Sequence, residues 1–185
     1  AEAEPNKRSL KRMKARIKFL NSQEKEIKDD IEKMVNTEGE LKKEIDNLCT
    51  IPGIGMLTAV IVLSETNGFE LIRNKRQLTS YAGLDIKEKQ SGTSVKGKPK
   101  ISKKGNRYLR KAMHLPSLSS VKYNASHKQL YIRLVSKSGI KMKGLIAVQR
   151  KLLELIYVIY KNRTTFKQNY EQEKRASNLN LVNAL

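Results

Sequence analysis

From Leu10 to Leu48 the sequence keeps a single seven-residue register, and no other feature restricts the fold so tightly. Positions 10, 17, 24, 31, 38 and 45 form one column, and positions 13, 20, 27, 34, 41 and 48 form the other. In chain order they read Leu10, Met13, Ile17, Leu20, Glu24, Ile27, Ile31, Met34, Glu38, Leu41, Ile45 and Leu48. Ten of these twelve positions are apolar, and a seam of that period is buried only when helices pack along it. Residues 1–48 are therefore expected to form a coiled-coil arm that pairs copies of the chain or bridges domains. Glu24 and Glu38 interrupt one column, and Gly39 weakens the helix by about 1 kcal/mol relative to Ala. The alternative is a long helix laid along its own domain.

Charge divides the chain at the end of this register. Residues 1–50 carry 12 Lys and Arg against 11 Asp and Glu, whereas residues 51–185 carry 26 against 7, a net +19 out of the whole chain's +20. A coat of like charge opposes compaction, so a polyanionic partner is the natural inference. Lys and Arg that displace condensed counterions bind any nucleic acid, whatever its sequence. An anionic membrane would favour one basic amphipathic helix, but these cations are spread over loops and several helices. No apolar run approaches a membrane span, and Leu155–Tyr160 is among the longest. The single Cys49 excludes a disulfide framework and a cysteine-based zinc site, and it suits a reducing cytoplasm. The chain opens on Ala1 without a signal peptide, as expected of a piece of something longer.

Beyond the arm the expected fold is mainly α, a compact helical domain over residues 49–161 followed by a polar tail, 162–185. Pro52 breaks the first helix, and Gly53 and Gly55 permit a tight turn before an apolar helix that ends near Glu65. Asn74 can cap a short helix that stops at Gly83. Residues 85–106 are rich in Gly, Ser and Lys and suggest a long loop or a short β-hairpin near 84–102. Helices are expected at about 107–122, with Pro116 as a kink or break, at about 127–138 ending at Gly139, and at about 143–161. The last carries Leu145, Ile146, Val148, Leu152, Leu153, Ile156 and Ile159, the face expected to anchor the core.

Three groups of residues bear on chemistry. Ile51-Pro52-Gly53-Ile54-Gly55 reads as the turn of a helix-hairpin-helix element. There, backbone amides at a helix start approach a phosphate with no side chain in the way. The competing reading is an ordinary packing corner in which both glycines serve sterics. Between residues 86 and 111 stand ten basic side chains and one acid, Glu88. Lys96, Lys98, Lys103, Lys104, Arg107 and Arg110 are the candidate phosphate contacts. Ser91, followed by Gly92, is a candidate nucleophile if cations depress the cost of ionising its hydroxyl, although a serine in a Gly/Lys loop is usually only solvated. Metal-assisted phosphoryl transfer needs clustered carboxylates. The acids beyond residue 50 are Glu65, Glu70, Asp85, Glu88, Glu154, Glu171 and Glu173, thin and scattered, so no metal site is expected in this chain. His114 and His127 lack a ligand set and are expected to pack or face solvent. Tyr108, Tyr123, Tyr131, Tyr157 and Tyr160 are placed in helices, where core packing is expected over base stacking.

Ile51-Pro52-Gly53-Ile54-Gly55 with Thr58-Ala59, then Tyr81-Ala82-Gly83-Leu84, Ser91-Gly92, and Lys104-Gly105-Asn106-Arg107-Tyr108-Leu109-Arg110 occur in that order. Over roughly residues 48–160 the chain resembles the C-terminal domain of insertion-sequence transposases related to the Piv DNA invertase, the bridge-RNA-guided recombinases. The resemblance implies that DNA, and a guide RNA, are its partners. It implies that Ser91 attacks a phosphodiester to form a transient phosphoserine link, with Ser94 and Ser102 as the alternative positions. It also implies magnesium held by four acids of a RuvC-like domain that precedes the coiled coil and is not in this sequence, with the site shared between subunits. The fragment alone is then expected to bind nucleic acid without recombining it. Two other readings stand beside this one: a non-catalytic helix-hairpin-helix module, and an RNA-coating protein built around its coiled coil.

Overall fold

Asn6 starts the first helix by accepting a hydrogen bond from the Arg8 amide (2.9 Å), and α1 then runs Lys7–Thr37, about 46 Å at 1.5 Å per residue. The computed structural model describes residues 6–91 and 95–168; the side chains of residues 88–91 and 95–99 lie outside the described set. Two units are present, residues 1–43 and 44–185. In the first, the heptad positions Met13, Ile17, Leu20, Ile27 and Met34 are all exposed. The helix does not continue to Leu48 as the register suggested. Glu38 is extended (φ −101°, ψ 98°) and α2, Gly39–Cys49, begins after it. Nothing lies within 4 Å of a Cβ built on Gly39, so packing does not require this glycine. The break sits where the chain's own helix propensity is weakest. Ile45 and Leu48, read as seam positions, are buried core residues, and the second unit begins at Glu44.

That unit is mainly helical, with one small two-stranded antiparallel sheet among the described residues. α3 (Met56–Thr66) ends on Asn67 in the left-handed region, and α4 (Lys75–Tyr81) is capped by Asn74, whose Oδ1 accepts from the Gln77 amide at 2.8 Å. The end of α4 is fixed by a pair of bonds, Gly83 N–H to Ser80 C=O (2.8 Å) and Leu84 N–H to Thr79 C=O (2.9 Å). That pairing demands positive φ at the residue after the cap, and Gly83 has φ 65°. Strands β1 (Ile86–Ser91) and β2 (Val95–Ile101) form the hairpin. Ile86 pairs with Ile101, and Ser91 with Val95. The register slips between Lys87 and Lys89, opposite the stretch holding Pro99. Proline has no N–H to give to a ladder, so it sits where the ladder is interrupted.

The expected helix 107–122 is two helices, α5 (Arg107–Ala112) and α6 (His114–Tyr123), separated at Met113. Pro116 causes no kink, because it falls in the first turn of α6, where an N–H would have no partner in any case. α7 (Ala125–Ser138) ends at Gly139 (φ 67°), and α8 (Lys141–Asn162) follows. α8 is the core helix: Leu145, Val148, Leu152, Leu153, Ile156 and Ile159 are buried, and it packs on α4, α6 and α7. Gly144 lets α7 come close, since a Cβ there would stand 2.9 Å from Tyr131 and Val135. Phe69 packs between the rings of Tyr157 and Tyr160, at 5.4 and 5.2 Å. Among the described residues no helix is long and apolar enough to cross a membrane.

A candidate nucleic-acid interface at the base of the hairpin

The segments Tyr81-Ala82-Gly83 and Lys103-Lys104-Gly105, far apart in sequence, lie backbone against backbone. A Cβ on Gly105 would overlap the Tyr81 carbonyl and the Gly83 nitrogen, and one on Gly83 would stand 2.6 Å from the Gly105 nitrogen. Only glycine permits that approach, and three hydrogen bonds close it. Lys103 N–H donates to Gly83 C=O (3.1 Å), Asn106 N–H to Tyr81 C=O (2.7 Å), and Ser102 N–H to Asp85 C=O (2.9 Å). The motif glycines thus join the end of α4 to the start of α5.

Side chains finish the junction. Asn106 uses both ends of its amide: Oδ1 caps α5 by accepting from Tyr108 N–H (2.8 Å) and Leu109 N–H (3.0 Å), while Nδ2 donates to Glu65 Oε2 (2.6 Å). The Tyr81 hydroxyl donates to the Glu65 carbonyl (2.9 Å). Ser102 Oγ donates to Asp85 Oδ1 (2.5 Å). Arg110, expected to face a phosphate, turns inward: its Nη1 donates to the carbonyls of Ala82 (2.8 Å) and Gly105 (2.9 Å). An open groove of about 720 Å³ lies over this junction, floored by Tyr81, Asp85, Ser102 and Asn106.

The cations that remain outward are Lys103, Lys104, Arg107 and Lys111, all exposed and without a carboxylate partner in any described salt bridge. From Lys89 to Leu153 the sequence has 17 Lys and Arg and no Asp or Glu; of these, Arg150 and Lys151 pair with Glu154. Lys103 has φ 54°, a conformation costly for a side chain with a Cβ. Ser91 ends β1 five residues beyond Ile86, roughly 17 Å away at about 3.4 Å per residue. Its side chain lies outside the described residues, as do those of Lys96 and Lys98, and Ser94 lies wholly outside them.

The two turn glycines differ. Gly53 (φ 98°) faces α6, and a Cβ there would stand 2.6 Å from Pro116 C=O and 3.0 Å from Ser120 N, so this glycine has a packing reason. Gly55 is exposed with open space where a Cβ would be, and it precedes α3 without a side-chain cap.

Two tyrosines read as core residues are not. Tyr108 and Tyr123 are 60% and 61% exposed, with Arg107 and Lys122 5.6 and 5.1 Å from the respective ring centres. Lys111 on α5 and Leu115, Leu118 and Lys122 on α6 are exposed as well.

The histidines are tied to protein partners. His114 Nδ1 lies 3.1 Å from Gln149 Nε2, and His127 Nδ1 lies 2.6 Å from Ser120 Oγ. Among the described residues no three metal-ligating side chains gather. Glu65 and Asp85 each accept a hydrogen bond from a neighbouring side chain. Burial raises the Cys49 thiol's pKa and Asp46 adds to the effect, which leaves it a poor nucleophile.

Comparison with known proteins shows what the chain is similar to. Residues 45–132 match the model of the transposase IS116/IS110/IS902 family. The chain is 33% identical over 149 residues to the pilin gene-inverting protein of Moraxella bovis, covering 79% of this chain and 46% of that protein. It is likewise 33% identical over 152 residues to the pilin gene-inverting protein of Moraxella lacunata, with the same coverages, 79% and 46%. The transposase for insertion sequence element IS1111A of Coxiella burnetii is 25% identical over 144 residues, 75% of this chain and 38% of that protein. The chain spans less than half the length of these relatives.

Proposed function

We propose that this chain, whose residues 45–132 match the model of the IS116/IS110/IS902 transposase family, is the C-terminal, DNA-handling part of a bacterial recombinase that moves or inverts DNA. The observation that carries the reading is the outward set of unneutralised cations at the base of a hairpin whose far end bears Ser91. A phosphate backbone laid over Lys103, Lys104 and Arg107 gains Coulombic energy and releases counterions. The amides at the start of α3, beside the open Gly55, offer a second phosphate contact that reads no bases. Tyr108 and Tyr123 offer flat faces to unpaired bases of DNA or of a guide RNA.

In this reading Ser91 Oγ attacks a phosphodiester phosphorus. The Oγ–P bond forms as the bond from phosphorus to one deoxyribose oxygen breaks. The serine proton passes to a base, and the freed oxygen takes up a proton. The hydroxyl of a second strand reverses the step to complete exchange, while Lys96 and Lys98, on the paired strand, stabilise charge building on the phosphate. Magnesium belongs to acids outside this chain. The seam of α1 pairs copies of the chain, so that each nucleophile meets a site completed elsewhere in the assembly.

The test is Ser91→Ala in the full-length recombinase. The covalent protein–DNA adduct should disappear while DNA affinity changes less than about twofold. An undiminished adduct would remove Ser91 from the mechanism. For the chain alone, duplex binding should weaken steeply as salt rises, with no strand cleavage. Binding indifferent to salt would count against phosphate recognition altogether.

A further inference from the structure

An isolated two-stranded hairpin is marginal in water, yet this one is required, on the reading above, to hold a nucleophile steady at its tip. Its rigidity must come from its base. There Asp85, just before β1, accepts from Ser102, just after β2, at 2.5 Å, while the Ser102 amide donates to the Asp85 carbonyl at 2.9 Å. Both side chains are half-buried on the groove floor. The next residue, Lys103, holds its left-handed conformation with its N–H on the Gly83 carbonyl, 3.1 Å away. A strained residue, two interlocked glycines and an Asp–Ser pair joined by two bonds, both donated by Ser102, are more restraint than joining two helices requires. Such over-determined geometry is retained where direction matters.

We infer that Asp85 and Ser102 form a lock that sets the direction in which the hairpin leaves the domain, and that they act as positioning residues for Ser91. The inference rests on the assignment of Ser91. Its physical basis is leverage. With the tip roughly 17 Å out, a tilt of about 6° at the base moves it by nearly 2 Å, and about 1 Å of misplacement can cost a hundredfold in rate. Neither residue touches DNA in this account.

The experiment compares Ser102→Ala, Asp85→Ala, the double variant and Ser102→Thr in the full-length recombinase. Each alanine variant should slow adduct formation between tenfold and a hundredfold with duplex affinity within about twofold. The double variant should be no slower than the worse single one, because both remove the same bond. Ser102→Thr, which keeps the hydroxyl, should recover most of the rate. Peptide mapping should find the adduct on Ser91 in every variant. Wild-type rates in the alanine variants, losses that multiply in the double variant, or an adduct on Ser102 would each overturn the lock. Hydrogen exchange at the β1 and β2 amides of the present chain separates this inference from the one beneath it. Exchange should quicken at least tenfold in Ser102→Ala, and unchanged exchange refutes the lock whatever Ser91 does. Faster exchange together with a persistent adduct in Ser91→Ala refutes the nucleophile and leaves the lock.

Discussion

The arm and the compact unit leave opposite things unsatisfied. Over positions 1–50 the charges nearly cancel, 12 basic against 11 acidic, but the apolar column from Met13 to Met34 in α1 faces solvent. In the second unit the larger part of the apolar side chains packs in the core around α8, with Leu71 and Leu115 among those left exposed, and the stretch from Lys89 to Leu153 has no carboxylate among its cations. Exposed apolar surface is relieved by another apolar surface, whereas exposed like charge is relieved by a polyanion. The difference teaches that one chain can carry two recognition problems of different physical kind without either interfering with the other's solution. A helix that paired through charge, or a DNA surface that relied on leucines, would blur that division.

The sharpest way to break the comparison is to attack the compact unit where its backbone has no slack. Gly105→Ala should cost about 4 kcal/mol or more, at the top of the range for single substitutions, because the new methyl overlaps main chain that cannot move aside. Gly55→Ala, with open space around it, should change stability by less than about 0.5 kcal/mol. Thermal unfolding monitored by circular dichroism checks both, and equal losses would disprove the backbone contact.

The arm should respond in the other currency. Ile17→Glu combined with Ile27→Glu, both exposed, should abolish self-association in sedimentation at micromolar concentration. The unfolding midpoint of the compact unit should stay put. Persistence of the oligomer would mean that the seam is not what pairs the chains.

A smaller effect is expected at the cations. Lys104→Ala with Arg107→Ala should flatten the plot of log affinity against log salt by about 1.8, near 0.9 per lost phosphate contact. Helical content should be unchanged. A slope identical to wild type would place the nucleic acid elsewhere.

The least change is expected at Glu154. Burial raises its pKa, but hydrogen bonds from Lys151 and Arg150 outweigh that effect and bring it below the ordinary value. A depressed carboxylate stabilises the fold above its unfolded value of about 4.3, and that contribution disappears as pH falls through the lower folded value. Glu154→Gln should therefore cost under about 1 kcal/mol at neutral pH, with wild type and variant converging in acid. A gap that persists at low pH would assign the loss to packing.

Much of the secondary structure was determined by the sequence alone, because its causes are local. Asn74 ahead of a short helix, Gly83 and Gly139 behind helices, and the apolar face of α8 act through neighbours within about four residues and were readable without a fold. So was the identity of the cationic stretch, since charge is additive along a chain. What only the tertiary structure decided were pairings between distant residues. Asp85 and Ser102 are 17 residues apart, and Glu65 and Asn106 are 41 apart. Ile45 and Leu48 fit a heptad seam as well as they fit a core. Arg110 and Arg107 stand three residues apart in one basic run, yet one ties the domain's own carbonyls together and the other faces solvent. No periodicity separates such cases, because what a side chain meets depends on which faces of which elements come together. That outcome is set by packing summed over the whole unit.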